Sequence, residues 1–442
     1  MSGTASWYFE IGCHYGGNPG GSQEDRDLKV LQINTVCGSG SVGRITVDIV
    51  HALEEAGDEG MIAFGRRQAP EGVKTWKFGT NLDMGVHVLH TFFKGEHGFA
   101  SSKQTARLIE KIKEYDPDII HLHNIHGFYL DVEQLFRYLK TSGKPVVWTL
   151  HDCWSFTGHC AHFDYIGCMK WKTGCGSCPQ YKNVYPYALF KDNSAGNYKR
   201  KKDAFTGVPD LTVVTPSRWL AGYVRESYLG EYPVQVIPNG IALDRFRPVN
   251  GGLRKRLGFE NKYILLGVAS MWEERKGYAY FEQLADRLDD SYQIILIGLS
   301  KRKLKTLHPR IHGVMRTNSM EELAEYYSMA DAYVNTTLED TFPTTNLEAL
   351  ACGTPVITFA TGGSVESVDA SCGKIVPKGD IEALIQAIEE LRGEPDKKEA
   401  CLRRAAGYDK DDRFQDYLKL YRSLLERQGR QAVPGQNTGT EQ

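Results

Sequence analysis

The sequence predicts an α/β fold of doubly wound, parallel sheets in more than one domain. Three observations carry the prediction. Short β-prone runs alternate with helical segments over most of the chain, as in parallel strands joined by crossover helices. Strands in both halves end in loops that feed straight into a helix, the geometry in which free N–H groups meet an anion. The chain has 442 residues, enough for two or three domains.

Composition narrows the function classes. With 41% hydrophobic and 24% charged residues and a formal net charge of −2, nothing argues for a nucleic-acid partner. No apolar run approaches the roughly 18–20 residues of a membrane span. The N-terminus is Gly-rich and polar, without the pattern of a signal peptide, so a cytoplasmic protein is the expectation. Residues 1–27 show no periodicity and read as a flexible extension, as do residues 428–442.

Regular pattern begins at Leu28. A strand over 29–34 (KVLQIN) runs into the Gly-rich turn 35–44 (TVCGSGSVGR), followed by a helix over 45–56. Strand, glycine turn and helix N-terminus make a phosphate-approach site. Gly38-x-Gly40-x-x-Gly43 also matches a dinucleotide fingerprint. The second strand, 61–66 (MIAFGR), ends in Gly65-Arg66 without the acid that NAD binding needs, which disfavours that reading. Arg44 reads equally as a phosphate partner or as part of a solvated helix. Further strands at 118–123, 145–150 and 211–215 alternate with helices at 105–115, 132–141 and 218–227. Ligands in such sheets sit at the C-terminal strand ends. His121, His123, Asn124 and His126 follow one strand and His151-Asp152 the next, with Asp152 able to orient His151 by accepting from its imidazole.

The segment 153–178 (CWSFTGHCAHFDYIGCMKWKTGCGSC) holds five of the ten cysteines. Cys160, Cys168, Cys175 and Cys178 suggest a closed, structural zinc site of four thiolates. Reduced thiols and two disulfides are the other readings. The aromatic residues Trp154, Phe156, Phe163, Tyr165 and Trp171 read better as packing than as the floor of a binding pocket. The basic run Lys199-Arg200-Lys201-Lys202, at an expected helix start, reads as a solvated face or as a contact to an anionic lipid headgroup.

The connection 234–248 carries the turn Pro238-Asn239-Gly240. A second sheet starts at 263–268 (YILLGV), and its loop brings Arg275-Lys276 to a helix start at Gly277, where cations can meet a departing anion. The stretch 331–363 reads as strand, loop, helix over 346–352, strand and Gly-rich turn. Thr345-x-x-Glu348 fits a capping box, with Thr345 as N-cap; ligand contact by Glu348 is compatible with it. An amphipathic helix over 411–427 presents Phe414, Tyr417, Leu418, Leu420, Tyr421 and Leu424 to a core.

Together, Asp340-x7-Glu348, Phe342-Pro343, Ala351-Cys352-Gly353-Thr354-Pro355-Val356 and Gly362-Gly363 resemble the donor-sugar motif of retaining, family-four (group 1) glycosyltransferases. The likeness extends to bacterial exopolysaccharide and colanic-acid-type members and covers about residues 28–427. It implies the GT-B fold, two facing Rossmann-like domains with the site in the cleft between them. An acceptor-side domain would span 28–236 and a nucleotide-sugar domain 237–408, with a helix over 409–427 returning to the first. The resemblance implies a metal-independent reaction with no catalytic cofactor, a nucleotide-diphosphate sugar as donor, and a saccharide or lipid-linked acceptor. Lys276 and Arg275 would stabilise the leaving diphosphate and Glu348 would hold the ribose. Asp340 and the backbone of Phe342, Pro343, Thr344 and Thr345 would hold the sugar, with His151 near its hydroxyls. Gly38, Gly40, Ser41, Gly43, Gly362 and Gly363 would line the donor cleft; Arg316 and Thr317 would lie toward the base. This chain departs from the family pattern at Asp340 (usually Glu), at Ala269-Ser270 (usually Gly-Arg) and at Ala242 (usually Asp). These departures keep two alternatives open, a nucleotide-sugar epimerase on the same fold and a non-catalytic sugar-nucleotide-binding protein.

Overall fold

The computed structural model describes residues 27–432, so the expected extension (Asp27 apart) and residues 433–442 lie outside the described residues. The strands form two all-parallel sheets. The first orders β1 (Lys29–Val36), β2 (Glu59–Arg66), β3 (Thr75–Lys77), β4 (Ile119–Leu122), β5 (Val146–Thr149), β6 (Leu211–Thr215) and β7 (Val234–Val236) as β3-β2-β1-β4-β5-β6-β7. The second orders β8 (Tyr263–Val268), β9 (Tyr292–Ile297), β10 (Ile311–Val314), β11 (Ala332–Asn335), β12 (Val356–Phe359) and β13 (Gly373–Val376) as β10-β9-β8-β11-β12-β13. We call the parts built on them the first and second lobe. Every residue of β4, β5, β6, β11 and β12 is buried. Helices cover both faces of a parallel sheet, so its central strands read as unbroken apolar runs rather than alternating ones.

Both sheets reverse winding beside their first strand. β1 pairs with β2 on one side and β4 on the other, so that Ile33 faces Ala63 and Leu122. β8 likewise lies between β9 and β11, with Leu266 opposite Ile295 and Tyr333. Loops leaving the two strands at such a point diverge to opposite faces and open a crevice. The Gly-rich turn and His123 stand at the first crevice, Lys276 and Asp340 at the second.

The last helix, Lys410–Ala432, returns to the first lobe. Its Phe414, Tyr417, Leu418, Leu420, Tyr421 and Leu424 are buried against Leu28, Val30, Ile45 and Ile49. Tyr421 OH meets His121 Nδ1 at 2.7 Å, and Tyr417 OH meets Thr149 at 3.2 Å. The helix passes position 427, so residues 428–432, expected to be disordered, are helical.

Other boundaries move as well. The first helix begins at Gly40 rather than 45, taking the glycines into its first turn. Helices Asn81–Lys94 and Lys398–Ala406 have no counterpart in the sequence reading. The basic run lies inside the helix Ser194–Phe205 and not at its start. It does not act as one charged strip. Arg200 pairs with Glu133 at 2.7 Å, and Lys201 is buried, its Nζ donating to the carbonyls of Trp154 (2.7 Å) and Thr157 (3.0 Å).

Candidate functional site

The second lobe contributes fixed charge. The turn Glu274–Lys276 precedes the helix Tyr278–Arg287. Gly277, at φ +73°, lets this turn lie against the end of β11, where a Cβ would stand 2.0 Å from Thr336 O. The close approach brings Lys276 Nζ to Asp340 Oδ2 at 2.6 Å. Burial raises the Asp340 pKa, but the Lys276 ammonium outweighs it and holds the carboxyl below its ordinary value. Asp340 Oδ1 accepts from Phe342 N–H at 3.2 Å. Arg275 Nε donates to Glu273 at 2.9 Å, yet its charge still reaches Asp340 and His162. Gly362, at φ +53°, packs so tightly under this loop that a Cβ would lie 1.8 Å from Asp340 O.

The helix Thr344–Ala351 follows. Its N-cap is Pro343, no side chain caps it, and no acid lies in its first turn. The capping-box reading is therefore overturned: Thr345 is inside the helix, so Glu348 falls two positions too late to reach back to the cap. Glu348 instead accepts from Tyr327 OH at 2.8 Å. Burial pushes its pKa up, while the Tyr327 hydroxyl and the Arg44 guanidinium pull the other way. Arg44 belongs to the helix Gly40–Glu55 of the first lobe, which also starts without a side-chain cap or an acid. Glu348 and Arg44 thus each follow an uncapped helix start, one per lobe, and the charge of one is felt by the other. Tyr333, buried beneath them, feels the charge of both Glu348 and Asp340.

The first lobe contributes a chain of buried imidazoles. His123 Nε2 meets Gln32 Oε1 at 2.9 Å, and His123 Nδ1 meets His151 Nε2 at 3.2 Å. Asp152 does not orient His151. Its Oδ2 lies 2.8 Å from His126 Nε2, and His126 Nδ1 lies 3.0 Å from Tyr185 OH. Burial holds His151 at about 4. Burial would raise Asp152, but the neighbouring His126 carries it down to about 2. His162 stands among Arg275, Asp152, Asp340 and Lys276, and burial lowers it to about 4.

The lobes meet at further points, among them Lys378 Nζ on Asp164 Oδ2 at 3.0 Å. Thr341 Oγ1 donates to His151 O at 2.9 Å, and Asp164 N–H to Glu339 Oε1 at 2.6 Å. Tyr165 OH donates to Glu274 at 2.9 Å. Glu366 accepts from Arg218 N–H (2.9 Å) and Trp219 N–H (2.8 Å). Glu339, one place before Asp340, is thus turned toward the cysteine-rich segment. A cavity of about 690 Å³, lined by Arg254, Asp331, Pro355 and Lys397 among others, opens at the start of the second-lobe strands, away from this cleft.

The zinc expected at Cys160, Cys168, Cys175 and Cys178 is not supported. Among the described residues no group of three or more His, Cys, Asp or Glu is placed to hold a metal ion. The four thiols line one cavity of only about 20 Å³. Cys175 Sγ accepts from Gly158 N–H at 3.1 Å, and Cys160 belongs to a core with Phe156, Phe163 and Trp171. Burial pushes the thiols of Cys160, Cys175 and Cys178 up, Cys175 to about 11, so these three act as small apolar side chains. Trp154, Phe156, Phe163 and Trp171 are buried there as packing.

Comparisons with known proteins agree with this architecture. The family described as Glycosyltransferase Family 4 matches residues 42–245, and that described as Glycosyl transferases group 1 matches residues 262–393. The chain is 25% identical, over 70% of its length and 77% of the relative's, to WcaC of Escherichia coli, a glycosyl transferase named for colanic acid biosynthesis. It is 28% identical, over 46% of its length and 58% of the relative's, to the N,N'-diacetylbacillosaminyl-diphospho-undecaprenol alpha-1,3-N-acetylgalactosaminyltransferase of Campylobacter jejuni. Among solved structures, sucrose-phosphate synthase from Thermosynechococcus elongatus superposes with a TM-score of 0.67 at 17% identity, covering 91% of this chain and 100% of that one. Anabaena HepE in complex with UDP-glucose gives 0.61 at 14% identity, covering 90% and 100%. Among the described residues no helix is long and apolar enough to cross a membrane.

Proposed function

The chain belongs to the group 1, family-four glycosyltransferases of the GT-B fold, and from that premise we propose that it moves a sugar, with retention, from a nucleotide-diphosphate sugar to a saccharide or lipid-linked acceptor. The residues 28–236 would serve the acceptor and 237–408 the donor. The observation that carries the reading is the Lys276–Asp340 pair beside an uncapped helix start, with Arg44 reaching in from the other lobe.

The chemistry follows from those groups. The acceptor oxygen bonds to the anomeric carbon on the face from which the diphosphate departs. The carbon–phosphate-oxygen bond breaks, and the acceptor proton passes to the departing phosphate oxygen. Negative charge grows on that phosphate, so preorganised cations and N–H groups lower the barrier. Lys276, Arg275 and the N–H groups of Thr344 and Thr345 supply them on one wall; the helix start at Gly40 and Ser41 supplies N–H groups on the other, in a turn that Gly38 and Gly43 close by a bond from Gly38 N–H to Gly43 O at 2.8 Å. Asp340 aims Lys276 and, with two of its roughly four acceptor sites used, still takes a sugar hydroxyl. Glu348, steadied by Tyr327, accepts from the ribose. His151 offers its edge to the sugar. Phe342, Pro343, Gly362 and Gly363 shape the loop beneath it. No step calls on a metal ion, and a chelator should leave turnover unchanged.

The Anabaena structure holds UDP-glucose and the Campylobacter relative is named for a diphospho-undecaprenol acceptor. Both support a nucleotide sugar as donor and a lipid-carried acceptor, in surface polysaccharide assembly at the cytoplasmic face of a membrane. The test is product mass analysis after incubation with nucleotide sugars and lipid-linked acceptors, with NMR of the new linkage. An α-donor should give an α-product. Release of epimerised sugar from donor alone would favour the epimerase reading, and donor binding without turnover the non-catalytic one.

A further inference from the structure

One face of the first lobe is apolar and uncovered. On the helix Asn81–Lys94, Leu82, Val86, Leu89 and Phe93 are 78%, 60%, 56% and 56% exposed. Their spacing of 4, 3 and 4 residues keeps them within about 60° of one helix face, a stripe ~16 Å long. The stripe continues onto another segment. The Phe93 ring stacks on Phe190 at 5.1 Å and 2°, and Phe190 is itself 64% exposed. Leu189 N–H donates to Phe92 O at 3.0 Å, fixing the two segments together. Exposed apolar side chains that line up and stack across two elements mark an interaction surface.

At the aromatic end of the stripe the exposed charges are lysines. Lys94 and Lys191 directly follow Phe93 and Phe190, and a Cβ on Gly95 would stand 2.4 Å from Lys191 O, so the two lysines are neighbours. Lys182 is exposed on the same segment. The nearby acids are half-buried: Glu96 is paired with Arg200, while Asp83 and Asp192 keep their charge but turn it toward Thr80 and toward the N–H groups of Cys178 and Ser194. An apolar stripe edged by lysine suits the interface of an anionic bilayer, where rings and aliphatic chains enter the headgroup boundary and ammonium groups stay with phosphate. A second copy of the chain fits less well, because a handful of side chains falls short of the roughly 20–30 residues per side in a stable interface.

The surface also connects to the cleft. On the opposite face of this helix, buried His87 meets the rings of His97 and Phe128 edge-on. His97 meets Tyr185 OH at 3.3 Å, and Tyr185 meets His126 beside Asp152. The wall behind the stripe is thus the acceptor side of the cleft.

We infer that the stripe Leu82, Val86, Leu89, Phe93 and Phe190, with Lys94 and Lys191, seats the first lobe on an anionic phospholipid surface. The basic run at residues 199–202 is not that surface, since Lys201 is buried and Arg200 is paired. The biological use rests on the lipid-carried acceptor proposed above, but vesicle binding itself needs neither donor nor acceptor.

The test is co-sedimentation of the full chain with phosphatidylcholine vesicles, with and without phosphatidylglycerol. The wild type should partition onto the mixed vesicles. The combined variant Leu89→Ser, Phe93→Ser, Phe190→Ser should lose about tenfold or more of that partition while keeping its melting temperature, because the replaced side chains are exposed. Lys94→Glu with Lys191→Glu should erase the preference for anionic vesicles. Wild type remaining in solution with both vesicle types, or a serine variant that binds as well as wild type, overturns the inference. So does a wild-type dimer in sedimentation velocity that the serine variant dissociates, which would assign the face to a second copy. Turnover of nucleotide sugar on a water-soluble acceptor, measured in parallel, should be the same in both proteins. Its absence would count against the catalytic reading and leave the vesicle result standing.

Discussion

The two walls of the cleft are built from opposite electrostatic materials. The second-lobe wall carries full charges, Lys276 against Asp340 and Arg275 against Glu273, with a bare helix start between them and Glu348. The first-lobe wall carries buried imidazoles, most of them neutral, around the carboxylate of Asp152. Burial lowers His87, His97, His121, His123, His151, His159 and His162, whereas His312 is the second lobe's one lowered imidazole among the described residues. A wall of fixed charge is matched to a leaving group that becomes more negative. A wall of mostly neutral polar groups is matched to an uncharged hydroxyl acceptor, which a strong field would only desolvate at a cost.

The largest consequence of the contrast is in acid. A buried imidazole with a folded pKa below the ordinary 6.5 binds protons more readily when unfolded. Its contribution is full above pH 6.5 and is lost as the pH falls toward the folded value, about 4 for His151, His159 and His162. Each such group costs about 1.4 kcal/mol per pH unit within that window. Asp152 runs at lower pH: its carboxyl, held near 2, adds stability above 3.8 that is lost only below it. The first lobe should therefore loosen before the second between pH 6.5 and 5. Hydrogen exchange, corrected for intrinsic rates, should show protection falling in β4 and β5 earlier than in β11 and β12. Equal losses in both sheets would break the comparison.

Next in size is the charged wall itself. Lys276→Ala should lower kcat by about 10²-fold or more, the order found when one preorganised donor is removed from a transition state. The carboxylate of Asp340 would be left without its cation, so Asp340→Asn in the same background should recover part of the loss. Wild-type turnover in Lys276→Ala would exclude Lys276 from the chemistry. On the other wall the expected effect is smaller. Asp152→Asn removes a charge-assisted bond to His126, worth about 1.5 kcal/mol, and should reduce kcat/KM for the acceptor about tenfold. The donor KM should stay fixed; a change there would mean that the two walls do not divide the substrates.

The second wall was far more legible in the sequence than the first. Residues 331–363 lie in one stretch, so loop, helix and glycine turn could be read in register, and Lys276 stood at an evident strand-to-helix turn. The imidazole chain draws on Gln32, His123, His126, His151 and Tyr185, from β1, two loops and a distant segment, and no spacing links them. Asp152 was read as the partner of its neighbour His151 because adjacency was the only information available. Successive side chains leaving a strand point apart, and His126 fills the place instead. The cysteine spacing suggested a metal because Cys-x-x-Cys carries no sign of burial, and here packing among aromatic rings decided the outcome. The helix Asn81–Lys94 was missed because its exposed apolar stripe blurs the polar face by which an amphipathic helix is recognised.

The smallest expected effect concerns how the walls are held together. Helix Arg218–Glu226 of the first lobe begins with N–H groups that have no partner within the helix. Ser217 takes the one on Leu220. Those on Arg218 and Trp219 are taken by Glu366 of the second lobe, so one lobe caps a helix of the other. The backbone of Glu366 is fixed in turn, its carbonyl accepting from Arg404 at 2.6 Å and Tyr408 OH at 2.9 Å. Glu366→Ala should cost about 1 kcal/mol, as loss of an N-cap does, and lower Tm by about 2–4 °C. Glu366→Gln, which keeps an acceptor but loses the charge, should cost about half as much. If the cap also fixes the distance between the walls, Glu366→Ala should increase the radius of gyration in small-angle scattering, and kcat should fall while donor affinity holds. A lower Tm with unchanged scattering and kcat would make Glu366 a local cap and leave the joining of the walls to Thr341, Asp164 and the returning helix.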